Sequence, residues 1–353
     1  MKPATKFFLF PLLLVLLVSI IVSASGFTYH KRTIETYIEK LDVGELIYYE
    51  NMTIAPVYSR RVKDYTHYTT LEEALRKDWL DITELDRGQV PNVRVSNRSN
   101  RHIFLMGGEI ISGGKQDRII SRDVLLGPRS RNVIIPVYCT EEGRWQNQSK
   151  KFYSKNNLGT SRLRSAAQYA DSGAQHSIWS EIATTNRKLG VRSRSKAYQS
   201  AYEDGRVQRQ IKRYERNLSD IPNMHPDTVG VVIAVGNDII SVDLFVNPDL
   251  FKKLWPKILR SSALSAVKHD NVGQINVQDA VRVLRRIHDA KYRETTAIDL
   301  GLELSAKKSY LNINALIYHD QLLHLAAFPR ADRPIKFKAH QQLQRRQPVY
   351  QSR

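Results

Sequence analysis

Cysteine is nearly absent. Cys139 is the only one in 353 residues, which excludes an intramolecular disulfide. A lone thiol is most often buried as a small apolar group, and that is its plain reading here. Other patterns are lacking too. There is no Gly-x-Ser-x-Gly elbow, no phosphate loop ending in lysine and a hydroxyl, and no His/Cys/Asp cluster at metal-ligand spacing. No cofactor and no metal is expected from motifs. Acidic side chains are in deficit, 35 against 54 Lys and Arg, for a net charge of +19. That excess favours anionic partners: nucleic acid, a phosphorylated small molecule, an acidic polymer such as a glycan, or an anionic membrane surface. The basic stretch carries no base-reading motif, so sequence-specific nucleic-acid recognition is not expected.

The chain starts with Lys2 and Lys6, an apolar run from Phe7 to Val22, and the small residues Ser23-Ala24-Ser25-Gly26. This is the layout of a secretory signal over residues 1–26, and it predicts export to the periplasm or exterior. Left uncleaved, the segment would serve as an N-terminal anchor, although it is shorter than a span of roughly 20 residues.

Short β-runs dominate 45–145. They are broken by Asn97-Arg98-Ser99-Asn100, Gly107-Gly108, Gly113-Gly114 and Gly127-Pro128. Residues 150–216 carry fifteen Lys/Arg against five Asp/Glu. Helices are expected there over Leu163–Tyr169, Ile178–Leu189 and Ala197–Tyr214, after a loop over Ser149–Thr160. From 229 to 328 a second α+β part follows. Gly236-Asn237-Asp238 joins two strands, Pro248 opens a helix, and Val281, Leu284 and Ile287 share a helical face. Two strands close around His319-Asp320. A helix is expected over Thr33–Leu41, and a disordered basic tail over 329–353. The fold class is α+β: antiparallel sandwich or open-barrel elements at both ends of one composite domain (27–328), with a helical middle.

Chemistry-bearing residues concentrate between Val93 and Trp145. Glu109, beside Ile110-Ile111, is either a solvent-facing hairpin carboxylate or a desolvated one with a raised pKa, suited to acid–base work. Gly113-Gly114-Lys115-Gln116-Asp117-Arg118 has the composition of an anion cradle, with backbone N–H groups plus Lys115 and Arg118; the alternative is a wide hairpin turn. Cys139 lies near Glu141, Glu142 and Arg144. The acids disfavour a thiolate, and no histidine stands at motif spacing to it, so a structural thiol is expected. The candidate ligand-binding set is Glu109, Lys115, Gln116, Arg118, Cys139, Glu141 and Arg144, with Glu109 and Glu141 as candidate catalytic acid/base groups.

These residues carry a resemblance. Gly108-Glu109, Gly114 to Arg118, Ile135 to Glu141, Arg144-Trp145, Ser177 to Ile182, Asp243-Leu244-Phe245 and Leu254-Trp255-Pro256-Lys257 together resemble the prokaryotic ADP-ribosylglycohydrolase- and rhodanese-phosphatase-associated domain, over roughly 45–330. The resemblance implies a link to ADP-ribose or NAD-derived nucleotides and assigns no catalytic residues. Two departures stand out: Asp117 replaces the usual asparagine, and an export signal sits uneasily with a cytoplasmic nucleotide pathway. The leading expectation is an exported binding protein for an anionic, ADP-ribose-like ligand. The alternatives are a hydrolase on such a substrate, and a basic envelope protein that binds through 150–216.

Overall fold

The computed structural model describes residues 30–60, 64–85, 91–144, 149–169, 174–267, 273–308 and 310–330. The expected signal over 1–26 and the tail beyond Arg330 lie outside the described residues, as does Trp145. No helix among the described residues is long and apolar enough to cross a membrane.

The chain is strand-rich α+β, with antiparallel sheets, one of them curled into a half-barrel. It begins with α1 (30–38), β1 (Leu41–Val43), β2 (Ile47–Tyr49), β3 (Met52–Ser59), β4 (Thr69–Thr70) and α2 (Leu71–Arg76). Next come β5 (Leu80–Glu84), β6 (Asn92–Asn97), β7 (Ile103–Leu105), β8 (Glu109–Gly113), β9 (Arg118–Ile120), β10 (Val124–Leu126), β11 (Val133–Cys139) and β12 (Phe152–Leu158). The helical middle is α3 (Ser161–Gln168), α4 (Ala174–Leu189), α5 (Gln199–Glu203) and α6 (Gly205–Leu218). The last third holds β13 (Thr228–Val235), β14 (Asp238–Phe245), α7 (Pro248–Ala266), α8 (Val277–His288), β15 (Arg293–Thr296), β16 (Leu302–Lys308), β17 (Leu311–Tyr318) and β18 (Gln321–Pro329).

A nine-stranded antiparallel sheet runs β1-β3-β13-β14-β18-β17-β16-β15, with β2 also on β3. It therefore joins the first and last parts of the chain. Its central strand β13 is buried at every position. Successive side chains of a strand point to opposite faces. Val231, Ile233 and Val235 enter one core with α6 and α7, while Val232 and Ala234 enter another with α1 and α8. A strand covered on both faces reads as a continuous apolar run, as β13 does.

A second sheet, β12-β8-β9-β11-β6-β5, curls until its edges approach, where Thr83 bridges Lys151. Its interior, with Ile82, Val95, Ile111, Ile120 and Val137, packs on Leu71 and Ala74 of α2. The small third sheet is β10-β7-β4, whose β4–β7 pair is parallel.

Three local expectations are corrected. Ser149–Thr160 is not a loop, because β12 pairs with β8. Its polar run FYSKNNL hides an edge strand whose register shifts between Ser154 and Leu158, where Asn156 has φ 57°. The helix expected over Ala197–Tyr214 is split, since Asp204 caps the N–H groups of Arg206 and Val207 and starts α6 afresh. On α8 the buried face is Ala280, Val283, Leu284 and Ile287, and Val281 is exposed.

Candidate functional site

The turn after β7 gathers the buried charges. Gly108 has φ 103°, a region side chains avoid, and a Cβ there would meet the side chain of Arg164. Arg164, from α3, crosses this turn: its Nε donates to the Gly107 carbonyl at 3.2 Å, and its guanidinium forks onto Asp243 of β14 at 2.7 and 3.2 Å. The Gly107 N–H donates to Asp123 at 2.8 Å. Asp123 also holds His324 Nδ1 at 2.7 Å, and His324 Nε2 lies 3.4 Å from Asp243. Burial alone would raise the Asp243 pKa, but Arg164 and His324 hold it far below the usual carboxylate range. Burial disfavours a charged His324, yet Asp123 and Asp243 prevail and raise its pKa.

Glu109 opens β8 and is fully buried. One carboxylate oxygen accepts the Met106 N–H at 2.9 Å; the other contacts Lys257 of α7, whose ammonium also reaches Glu72 of α2 at 2.5 Å. Burial pushes the Glu109 carboxyl up to about 7; the Lys257 ammonium opposes this and the Glu72 charge adds to it. Burial would lower the Lys257 pKa, but the two carboxylates keep it raised. Glu109 is thus a desolvated carboxyl and not a solvent-facing one.

At the other end of β8 the 113–118 turn closes on the protein's own groups. Gly113 and Gly114 have φ of 134° and 54°. The Gly113 N–H donates to Asp117 at 3.2 Å and the Lys115 N–H to Glu84 at 2.8 Å. Arg118 is buried, donates to the Gln116 carbonyl at 2.5 Å and stands 3.5 Å from Glu84. Gln116 donates to the Glu141 carbonyl at 2.5 Å. Arg144 bridges Glu141 at 2.6 Å and Asp117 at 3.0 Å, so Asp117 serves as an internal partner for this arginine. The Cys139 sulfur is buried, and its pKa is pushed up to about 11, chiefly by burial. The Cys139 amide and carbonyl are both met by the Gln175 side chain at 2.8 Å.

The structure thus brings Gln116, Arg118, Cys139, Glu141 and Arg144 together around the 113–118 turn. Lys115 contributes its backbone there. Glu109 lies four residues up β8, roughly 13 Å away at strand rise, in a different cluster. Arg164, Asp123 and His324 carry no motif that marks them as site residues in the sequence. Asp243 and Lys257 lie within the runs that carry the family resemblance. Among the described residues no group of three or more His, Cys, Asp or Glu is arranged to hold a metal.

Open space lies elsewhere. One cleft of about 500 Å³ is lined by α1 and the β17–β18 turn. Arg32, Thr36 and Lys40 recur every four residues along one side of the 30–40 segment, next to Thr33. Ser59, His319 and one carboxylate residue, Asp320, complete the polar lining. His319 and Asp320 hold φ of 48° and 58° as the two central residues of the turn, a strained choice where glycine or asparagine is usual. Arg32 and Lys40 have no carboxylate partner among the described residues.

The profile of the ARG and Rhodanese-Phosphatase-superfamily-associated Protein domain matches residues 40–328. The chain belongs to this family. No curated protein and no solved structure matches it.

Two outcomes follow from the buried charges. Arg164→Met strands Asp243 in the interior and is expected to cost about 3–5 kcal/mol of stability in urea unfolding; a loss under about 1 kcal/mol contradicts the assignment. Glu109 keeps its proton in the folded state where the unfolded chain, with the ordinary glutamate pKa of about 4.5, loses it. Its contribution to stability is whole below about 4.5 and is lost as pH rises to about 7. Glu109→Gln lacks this loss, so wild-type stability relative to the variant should fall between about pH 5 and 7. A difference that stays flat or rises contradicts the raised pKa.

Proposed function

We propose that this protein binds an anionic, nucleotide-sized ligand of the ADP-ribose type in the cleft lined by α1. The observation that carries the reading is the stripe of Arg32, Thr36 and Lys40 facing open space, with both cations lacking carboxylate partners among the described residues. The volume of about 500 Å³ falls within the usual range of small-molecule sites, roughly 300–1,000 Å³. Thr33, Thr36 and Ser59 add hydroxyl donors, and His319 adds a ring. The link to ADP-ribose that the family resemblance implies agrees with such a ligand.

This moves the ligand from the 113–118 turn, where Glu84 and Asp117 already accept the Lys115 and Gly113 N–H groups. It also favours binding over hydrolysis. Glu109 and Glu141 are buried, held by Lys257 and Arg144, and line none of the clefts described here. The basic start and apolar run of residues 1–26 support export, so that the ligand is met outside the cytoplasm. A second reading has its own observation: Arg206, Arg209, Lys212, Arg213 and Arg216 stand exposed along α6, a face suited to an acidic polymer.

Calorimetry with ADP-ribose tests the proposal. Arg32→Ala and Lys40→Ala should each weaken binding about ten-fold, the value of one charge-assisted contact. Absence of binding at about millimolar ligand, or equal affinity in wild type and both variants, overturns it. Salt-sensitive heparin binding with no response to ADP-ribose favours the polymer reading.

A further inference from the structure

A smaller cleft of about 220 Å³ opens beside Trp79, on the side of the fold where α2 ends and α7 begins. Its charged lining is Lys77, Arg101, Lys253 and His67, with Glu73 as the carboxylate. The cations are not equivalent. Lys253 lies 2.9 Å from Asp249 and 3.6 Å from Glu73, and donates to the Tyr68 carbonyl at 3.0 Å. His67 is 3.3 Å from Asp249. Glu73 is further occupied as the capping partner of Thr70. Lys77 and Arg101 have no carboxylate partner among the described residues. Lys77 is nonetheless held in place, its ammonium 4.4 Å above the Trp79 ring.

Two cations without carboxylate partners among the described residues, one of them held against an aromatic wall, and a narrow volume describe a site for a compact oxyanion. We propose that this cleft takes a phosphate group, held by Lys77 and Arg101. The Arg101 guanidinium offers paired N–H donors that match two phosphate oxygens, and Lys77 supplies a point charge. The indole face packs against the Lys77 ammonium and limits water on that side. At about 220 Å³ the cleft is smaller than the usual range of roughly 300–1,000 Å³, so it admits a phosphate or a monoester head and not a whole nucleotide. The site does not depend on the α1 cleft.

The test uses the full chain and inorganic phosphate, with chloride at matched ionic strength as control. Wild type should give saturable heat in calorimetry and a change in indole emission. Trp79→Phe should remove the emission change and keep the heat. Lys77→Ala and Arg101→Ala alter exposed side chains, so the fold is retained; each should weaken phosphate about ten-fold. Arg32→Ala and Lys40→Ala should leave phosphate binding unchanged, which separates this site from the α1 cleft even if ADP-ribose never binds. Glycerol phosphate in place of phosphate tells an ester head from the free ion, and tighter binding of either supports the site. No heat at about 10 mM phosphate overturns the proposal, as does binding that persists in Lys77→Ala and Arg101→Ala or is lost in Arg32→Ala.

Discussion

Arg164 passes over the Gly107-Gly108 turn to reach Asp243, and much of the architecture is arranged around that passage. The arginine comes from α3, the aspartate from the nine-stranded sheet, and the turn joins β7 of the three-stranded sheet to β8 of the curled one. One buried guanidinium thus ties three sheets to a helix. A buried pair of this kind is weak evidence of net stability, because desolvation offsets its attraction. What it constrains is separation: parting α3 from the nine-stranded sheet would strand a buried charge.

The same turn leads into the second buried cluster. Glu109 begins β8, and Lys257 reaches it from α7 while also holding Glu72 of α2. His324 and Asp123 complete the first cluster from β18 and from the loop after β9. Each charge has a partner, and the glycines admit the side chains that supply it. Interior charges occupied in this way are unavailable to a ligand unless the layers open. Among the described residues, Arg32 and Lys40 of the α1 cleft and Lys77 and Arg101 beside Trp79 are the lining cations without carboxylate partners.

How much of this was legible in the sequence depended on local signal. The hairpin of β13 and β14 was plain, because apolar runs flank Gly236-Asn237-Asp238. So were α7, opened by Pro248, and the turn at His319-Asp320. β12 was missed because FYSKNNL is polar and its partner β8 lies some forty residues back, so that tertiary pairing overrode local composition. Lys257 lies in a run shared with the family, but nothing local marks it as buried, since a lysine in a helix normally faces water. Glu109 was weighed as a desolvated carboxyl from its apolar neighbours, and it is one. The Gly113-Gly114 turn has the composition of an anion cradle, but composition could not reveal that Glu84 and Asp117 already fill it. The α1 cleft left no motif, because its lining comes from segments nearly 290 residues apart.

The central claim is that ligand is met at the rim, while the glycine-rich turns and their charges form a sealed frame. Hydrogen–deuterium exchange of the full chain, with and without ADP-ribose, tests it most directly, since it locates the contact without altering a residue. Slowed exchange is expected over residues 32–40 and 319–322, with 106–109 and 113–118 unchanged. Protection centred on 113–118 and 141–144, with 32–40 unaffected, would contradict it.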